Sequence, residues 1–140
     1  MNNTFGNNSP GDNYSLGALI GIFELGRMYY ETGFFAPAER IFTGLAVIDK
    51  SAMPSKLGLG LVKLELGLYN EASTFFRQCI EERAFDVSAK ISLAVCFIAQ
   101  GELKRAQSLL VEVAEVSKKT LGYEERKLLD ALLIRTTNQD

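Results

Sequence analysis

The sequence predicts an all-α fold: a solenoid of three antiparallel helix pairs closed by a seventh, capping helix. Three observations predict it. Gly33, Gly67 and Gly101 stand 34 residues apart. Further columns keep the same register after each glycine: Phe35, Tyr69 and Leu103, then Ala38, Ala72 and Ala106, then Phe42, Phe76 and Leu110. Before each glycine lies Leu25, Leu59 or Leu93, followed at once by a small residue, Gly26, Gly60 or Ala94.

A period of this length, with small residues at two fixed places and large apolar ones around them, is the tetratricopeptide pattern, in which each repeat is one helix pair. The small residues mark where two helices approach closely. The glycine ends the first helix of the pair in a left-handed conformation that other residues adopt at a cost.

Taken in chain order, residues 1–13 (MNNTFGNNSPGDN) are mostly Asn, Gly, Ser, Asp and Pro. Such a segment buries too little apolar surface to offset its ordering entropy, so residues 1–14 read as a disordered polar arm. Helical periodicity starts near Ser15. The first pair is expected over Leu16–Thr32 and Phe35–Ile48, the second over Pro54–Leu66 and Tyr69–Glu82, and the third over Asp86–Gln100 and Leu103–Lys118. Pro54 suits the first turn of a helix. The repeats then span about 19–52, 53–86 and 87–120 within an ordered unit of 15–136. Leu121–Gly122 breaks the pattern. A seventh helix over Tyr123–Arg135, within a unit of about 122–136, carries Leu128, Leu129, Leu132 and Leu133 to cover the last open face, and Thr136–Asp140 should fray.

Composition narrows the function. The chain has 140 residues, 47% of them apolar and 23% charged, which suits one soluble globular domain with a real core. A net charge of −2 without a basic stripe argues against nucleic acid. Histidine is absent, which removes the commonest general base and metal ligand together. Cys79 and Cys96 lack metal-site spacing and read as free buried thiols. Adjacent acids such as Glu81–Glu82 and Glu124–Glu125 point to different helix faces and do not converge. No catalytic residue, metal or cofactor is expected. Residues 1–13 hold no cationic start or apolar run, so no secretory leader is expected. The apolar stretches Leu16–Phe23 and Leu57–Tyr69 are interrupted or stopped by charges, so no direct membrane insertion is expected either.

In tetratricopeptide arrays the first helix of each pair lines the concave face. With the glycine as position 15, positions 2, 5, 9 and 12 point into that groove. They are Ile20, Phe23, Arg27 and Tyr30 in the first repeat, Pro54, Leu57, Leu61 and Leu64 in the second, and Ser88, Ile91, Val95 and Ile98 in the third. The core sides of the same helices are also apolar (Leu59, Val62 and Leu66; Leu93, Cys96 and Phe97), so an apolar groove is left open as a site for a partner protein. Arrays that grip acidic chaperone C-termini use Lys, Asn and Arg at fixed concave places. Those places here hold Phe23, Arg27, Gly58, Ser88 and Ser92, so a carboxylate clamp is not expected.

Longer phrases extend the pattern: LAVID at 45–49, LGLG at 57–60, GLYNEA at 67–72 and GELKRAQSLL at 101–110. That succession over residues 16–135 resembles the translocator chaperones of bacterial type III secretion, the LcrH/SycD type. The resemblance implies a chaperone of the bacterial cytoplasm that keeps a membrane-inserting translocator soluble and export-ready without nucleotide. It implies that the concave groove takes an extended Pro-x-Leu-x-x-Pro-like segment, with Phe23, Tyr30, Leu57, Leu61 and Leu64 forming the pockets. Arg27 departs from it, standing where that family tends to have an aromatic. Where that family usually carries a helical segment linked to dimerisation, the residues before Ser15 read as a short Asn/Gly-rich arm, which leaves open a homodimer or a small co-chaperone as partner. The needle-subunit chaperone of the same machinery, also three repeats long, is the alternative reading, and a generic tetratricopeptide scaffold the other.

Overall fold

In the computed structural model the described residues are 14–48, 53–83 and 86–137; most of the expected polar arm lies outside them. They form seven helices and no strand: α1 (Leu16–Glu31), α2 (Phe35–Ile48), α3 (Met53–Glu65), α4 (Tyr69–Glu81), α5 (Asp86–Ala99), α6 (Leu103–Val116) and α7 (Tyr123–Thr137). The architecture is an all-α tetratricopeptide solenoid of three helix pairs and a closing helix.

Local chemistry sets the helix ends. Ser15 caps α1: its Oγ accepts the Ala18 N–H at 3.1 Å, satisfying one of the free first-turn donors. The three inner helices end identically. Gly33, Gly67 and Gly101 have φ of 85°, 76° and 78°. Each glycine N–H donates to the carbonyl three residues back (Tyr30, Leu64, Ile98), and the next residue's N–H donates to the carbonyl five back (Tyr29, Lys63, Phe97) at 2.8–2.9 Å. This pair of bonds is the Schellman motif, and it turns the chain sharply enough for the second helix to start at once.

Small residues then let the helices close. An added Cβ on Gly26 would stand 2.8 Å from Phe42, and one on Gly58 would stand 2.8 Å from the other edge of the same ring. Phe42 is thus held between the inner helices of repeats one and two. Phe76 packs against Gly60 in the same manner, and Leu110 and Ala94 occupy the matching positions in repeat three, both fully buried. Two cores result. One joins Ala38, Phe42 and Leu45 to Leu59 and Val62; the other runs from Ala72 and Phe76 through α5 and α6 to Leu129 of α7.

Each helix packs on its neighbours in sequence. In addition α1 touches α3, α3 touches α5, and α5 touches α7, whereas no such contact joins α2 to α4 or α4 to α6 among the described residues. The first helices therefore lie on the inside of a curve and the second helices splay on the outside.

Three expectations need correction. Leu66 was expected in the core but is 45% exposed, because α3 ends at Glu65 and Leu66 already belongs to the turn. Leu128 is 48% exposed, and only Leu129, Leu132 and Leu133 of that run face inward. The chain does not fray at Thr136, since α7 reaches Thr137 and Thr136 is buried with its hydroxyl bonded to the Leu133 carbonyl.

Candidate peptide-binding face

The inner wall is built from α1, α3 and α5, and their mutual contact places the expected groove positions side by side. Most of these residues are half-buried. Phe23 and Tyr30 on α1, Leu57, Leu61 and Leu64 on α3, and Ile98 on α5 each keep part of their surface exposed while the rest rests on the cores, and Val95 on α5 is likewise half-buried. Half-burial is what a fixed apolar recognition surface needs: packing below holds the rotamer, and a free edge above meets the partner. Phe23 stacks at 45° on Phe42, and Tyr30 on Phe35 at 5.9 Å, so both rings are oriented before anything binds.

Ile20 is the most open of the set, 54% exposed. Ile91 departs from the expected lining. It is 5% exposed and belongs to the core cluster that also contains Leu129 of α7. The closing helix lies against α5, which leaves the third repeat a narrower apolar edge of Val95 and Ile98.

Two polar side chains of this wall, Arg27 and Tyr30, are already occupied. Arg27 donates from Nε and Nη2 to Glu24 and from Nη1 to Glu31, the two shortest contacts being 2.6 Å. These acids raise the pKa of Arg27, Glu24 most. An arginine held by two carboxylates on its own helix offers little to an acidic ligand. The Tyr30 hydroxyl donates to Glu65 at 3.3 Å, tying α1 to α3. Burial, reinforced by the Glu65 charge, pushes its pKa up to about 12.

The outer side has a different character. Lys63 reaches between the second helices and meets Glu39 of α2 and Glu71 of α4, each at 3.0 Å. Lys90 pairs with Asp86 and with Glu112 of α6, and Lys56 with Glu82. Sequence reasoning missed these pairs, because Lys63 and Glu39, and Lys90 and Glu112, stand 24 and 22 positions apart and meet only once their helices pack. Cys79 and Cys96 are free and fully buried, and burial raises both thiol pKa values. Among the described residues no cluster of acids and cysteines is placed to hold a metal, and no helix is long and apolar enough to cross a membrane.

No protein-family model matches the chain, and no curated protein matches it either. Solved structures do. PcrH from Pseudomonas aeruginosa superposes with a TM-score of 0.78 at 23% identity, covering 89% of this chain and 96% of its own. The Yersinia enterocolitica type III secretion chaperone SycD, in complex with a peptide of the translocator YopD, gives a TM-score of 0.77 at 23% identity over 88% and 95%. The first tetratricopeptide domain of Spaghetti (RPAP3), bound to an HSP90 peptide, gives 0.69 at 14% identity over 86% and 94%. The chain therefore has the tetratricopeptide fold that PcrH and the type III secretion chaperone SycD also have.

Proposed function

We propose that the protein is a type III secretion chaperone whose inner wall binds an extended apolar segment of a secreted translocator. It keeps that client soluble and export-competent in the bacterial cytoplasm. One observation carries the reading: Phe23, Tyr30, Leu57, Leu61, Leu64, Val95 and Ile98 stand on three touching helices with their apolar edges left open. The likeness to SycD, whose structure contains a translocator peptide, supports the choice of client.

The energetics suit a holder that must also let go. Burying one Leu or Ile anchor is worth about 1.5–3 kcal/mol. Two or three anchors, less the cost of ordering the segment, give roughly micromolar affinity. Release then needs no chemical energy, and the protein works as a binding module rather than an enzyme. Co-expression with the cognate translocator tests the reading. The client should stay soluble with the wild-type chain and aggregate with an Ile20→Glu, Leu61→Glu double variant. Equal client solubility with and without the chaperone would refute it.

A further inference from the structure

The turns that join each inner helix to its outer partner lie side by side along one edge of the solenoid. The Tyr30 hydroxyl donates to Glu65 across the ends of α1 and α3, and Gln100 at the end of α5 donates to Asn70 at the start of α4. The 34-residue register aligns Thr32, Leu66 and Gln100 just before the glycines, and Phe34, Leu68 and Glu102 just after them. The third turn is thus polar on both sides of its glycine, whereas the first two carry large apolar side chains. These stand in solvent: Phe34 is 60% exposed, Leu66 45% and Leu68 41%. A Schellman turn is often accompanied by a hydrophobic contact from the residue after the glycine, and Phe34 makes one edge-on against Tyr29 at 6.3 Å. Most of the ring still stays open, and Leu66, on the other side of its glycine, has no part in such a contact.

Charge along this edge is one-sided. Residues 30–38 and 64–72 hold Glu31, Glu65 and Glu71 and no Lys or Arg, while the equivalent 98–106 hold Lys104 and Arg105 beside Glu102. Arg27 pairs with Glu31 and Lys63 with Glu71. Among the described residues Glu65 meets no cation and accepts only the Tyr30 hydroxyl.

We infer that this edge is a second docking surface, separate from the inner wall, for an apolar segment that carries Lys or Arg beside its apolar run. On the chaperone function proposed above, on which this rests, the segment belongs to the same client and lies outside the stretch held in the groove. Clustered exposed apolar side chains mark a surface to be covered, and a free carboxylate at their border favours a cover that brings a cation. Tyr30 joins the two surfaces, since its ring lines the groove and its hydroxyl holds Glu65, so a strand leaving the groove past Tyr30 arrives at the edge. A second copy suits the edge less, because two-fold pairing would set the same acids against one another.

Two labelled peptides test this, each a short Leu/Ala-rich run, one ended by pairs of Lys and the other by pairs of Glu. The wild-type chain should bind the Lys-ended peptide about fivefold or more tightly than the Glu-ended one. Phe34→Ser with Leu68→Ser should weaken that binding about tenfold while circular dichroism stays helical. Glu65→Gln, which keeps an acceptor for the Tyr30 hydroxyl, should weaken it about two- to fivefold and flatten its salt dependence. Ile20→Glu, on the inner wall, should leave it unchanged, and the double variant should still bind a translocator peptide in the groove. Undiminished binding of the Lys-ended peptide by the double variant, or its loss in Ile20→Glu, would overturn the proposal. So would a wild-type dimer in sedimentation that the double variant abolishes while peptide binding persists. Failure of the translocator peptide alone to bind would count against the groove and not the edge.

Discussion

The Phe76 ring occupies the space that a Cβ on Gly60 would need, its Cε1 lying 2.5 Å from that position. Both residues belong to columns that recur along the chain, and their contact is what lets α3 and α4 close into a pair. Replacing Gly60 by alanine would normally help a helix by about 1 kcal/mol. Here Phe76 is fully buried and has nowhere to move. Gly60→Ala should therefore destabilise by about 1–3 kcal/mol in urea unfolding. Gly44→Ala, on a helical glycine with nothing near its added Cβ, should stabilise by about 1 kcal/mol. Equal effects at the two sites would show that close approach does not govern them.

Arg83 ends α4 with φ of 55°, the only non-glycine with positive φ among the described residues. The three inner helices place glycine at their equivalent termini. Arg83→Gly should relieve the steric cost of the side chain and raise stability by roughly 0.5–1 kcal/mol, less the extra freedom glycine gives the unfolded chain. Gly67→Ala should lose a comparable amount. Thermal melts of the two variants, moving in opposite directions, check the pair.

Among the described residues the Ser55 hydroxyl is buried without a hydrogen-bond partner, at a position where repeat three has Ala89. Leaving a polar group unpaired costs about 1–3 kcal/mol, and removing it recovers much of that. Ser55→Ala should raise the melting temperature by several degrees, on the scale of about 4–8 °C per kcal/mol for a small domain. A lower melting temperature would mean that the hydroxyl has a partner in solution.

Tyr30 supplies a pH dependence. Its pKa in the fold is about 12 against an ordinary value of 10.0, raised by burial and then by the Glu65 charge. The folded state therefore favours the protonated phenol. That contribution is fully present below pH 10 and is lost as pH rises through 12. The stability difference between wild type and Tyr30→Phe should be constant to about pH 9 and then shift against wild type up to pH 12. A flat difference over that range would contradict the assigned environment.

The repeat columns made most of the fold legible. They carry both the helix spacing and the three glycine turns, and every helix start from α1 to α7 falls within one residue of its expected place. The misreadings arose where the repeat meets an end or a neighbour. Leu66 obeys the apolar column but sits past the last hydrogen-bonded turn, and Ile91 occupies a groove position that the closing helix reaches. Gly58 read as a groove position, yet it is also the second wall against Phe42, a contact between repeats that no column within one repeat can reveal. The Lys63–Glu39 ion pair is hidden for the same reason.

Direct titration of a labelled peptide from a translocator's chaperone-binding region tests the central claim. The wild-type chain should bind with roughly micromolar Kd. Ile20→Glu, on an exposed side chain, and Leu61→Glu, on a half-buried one, should each weaken binding about tenfold or more while circular dichroism stays helical. Undiminished binding by both variants, or none by the wild type at millimolar peptide, would contradict the assignment of this face.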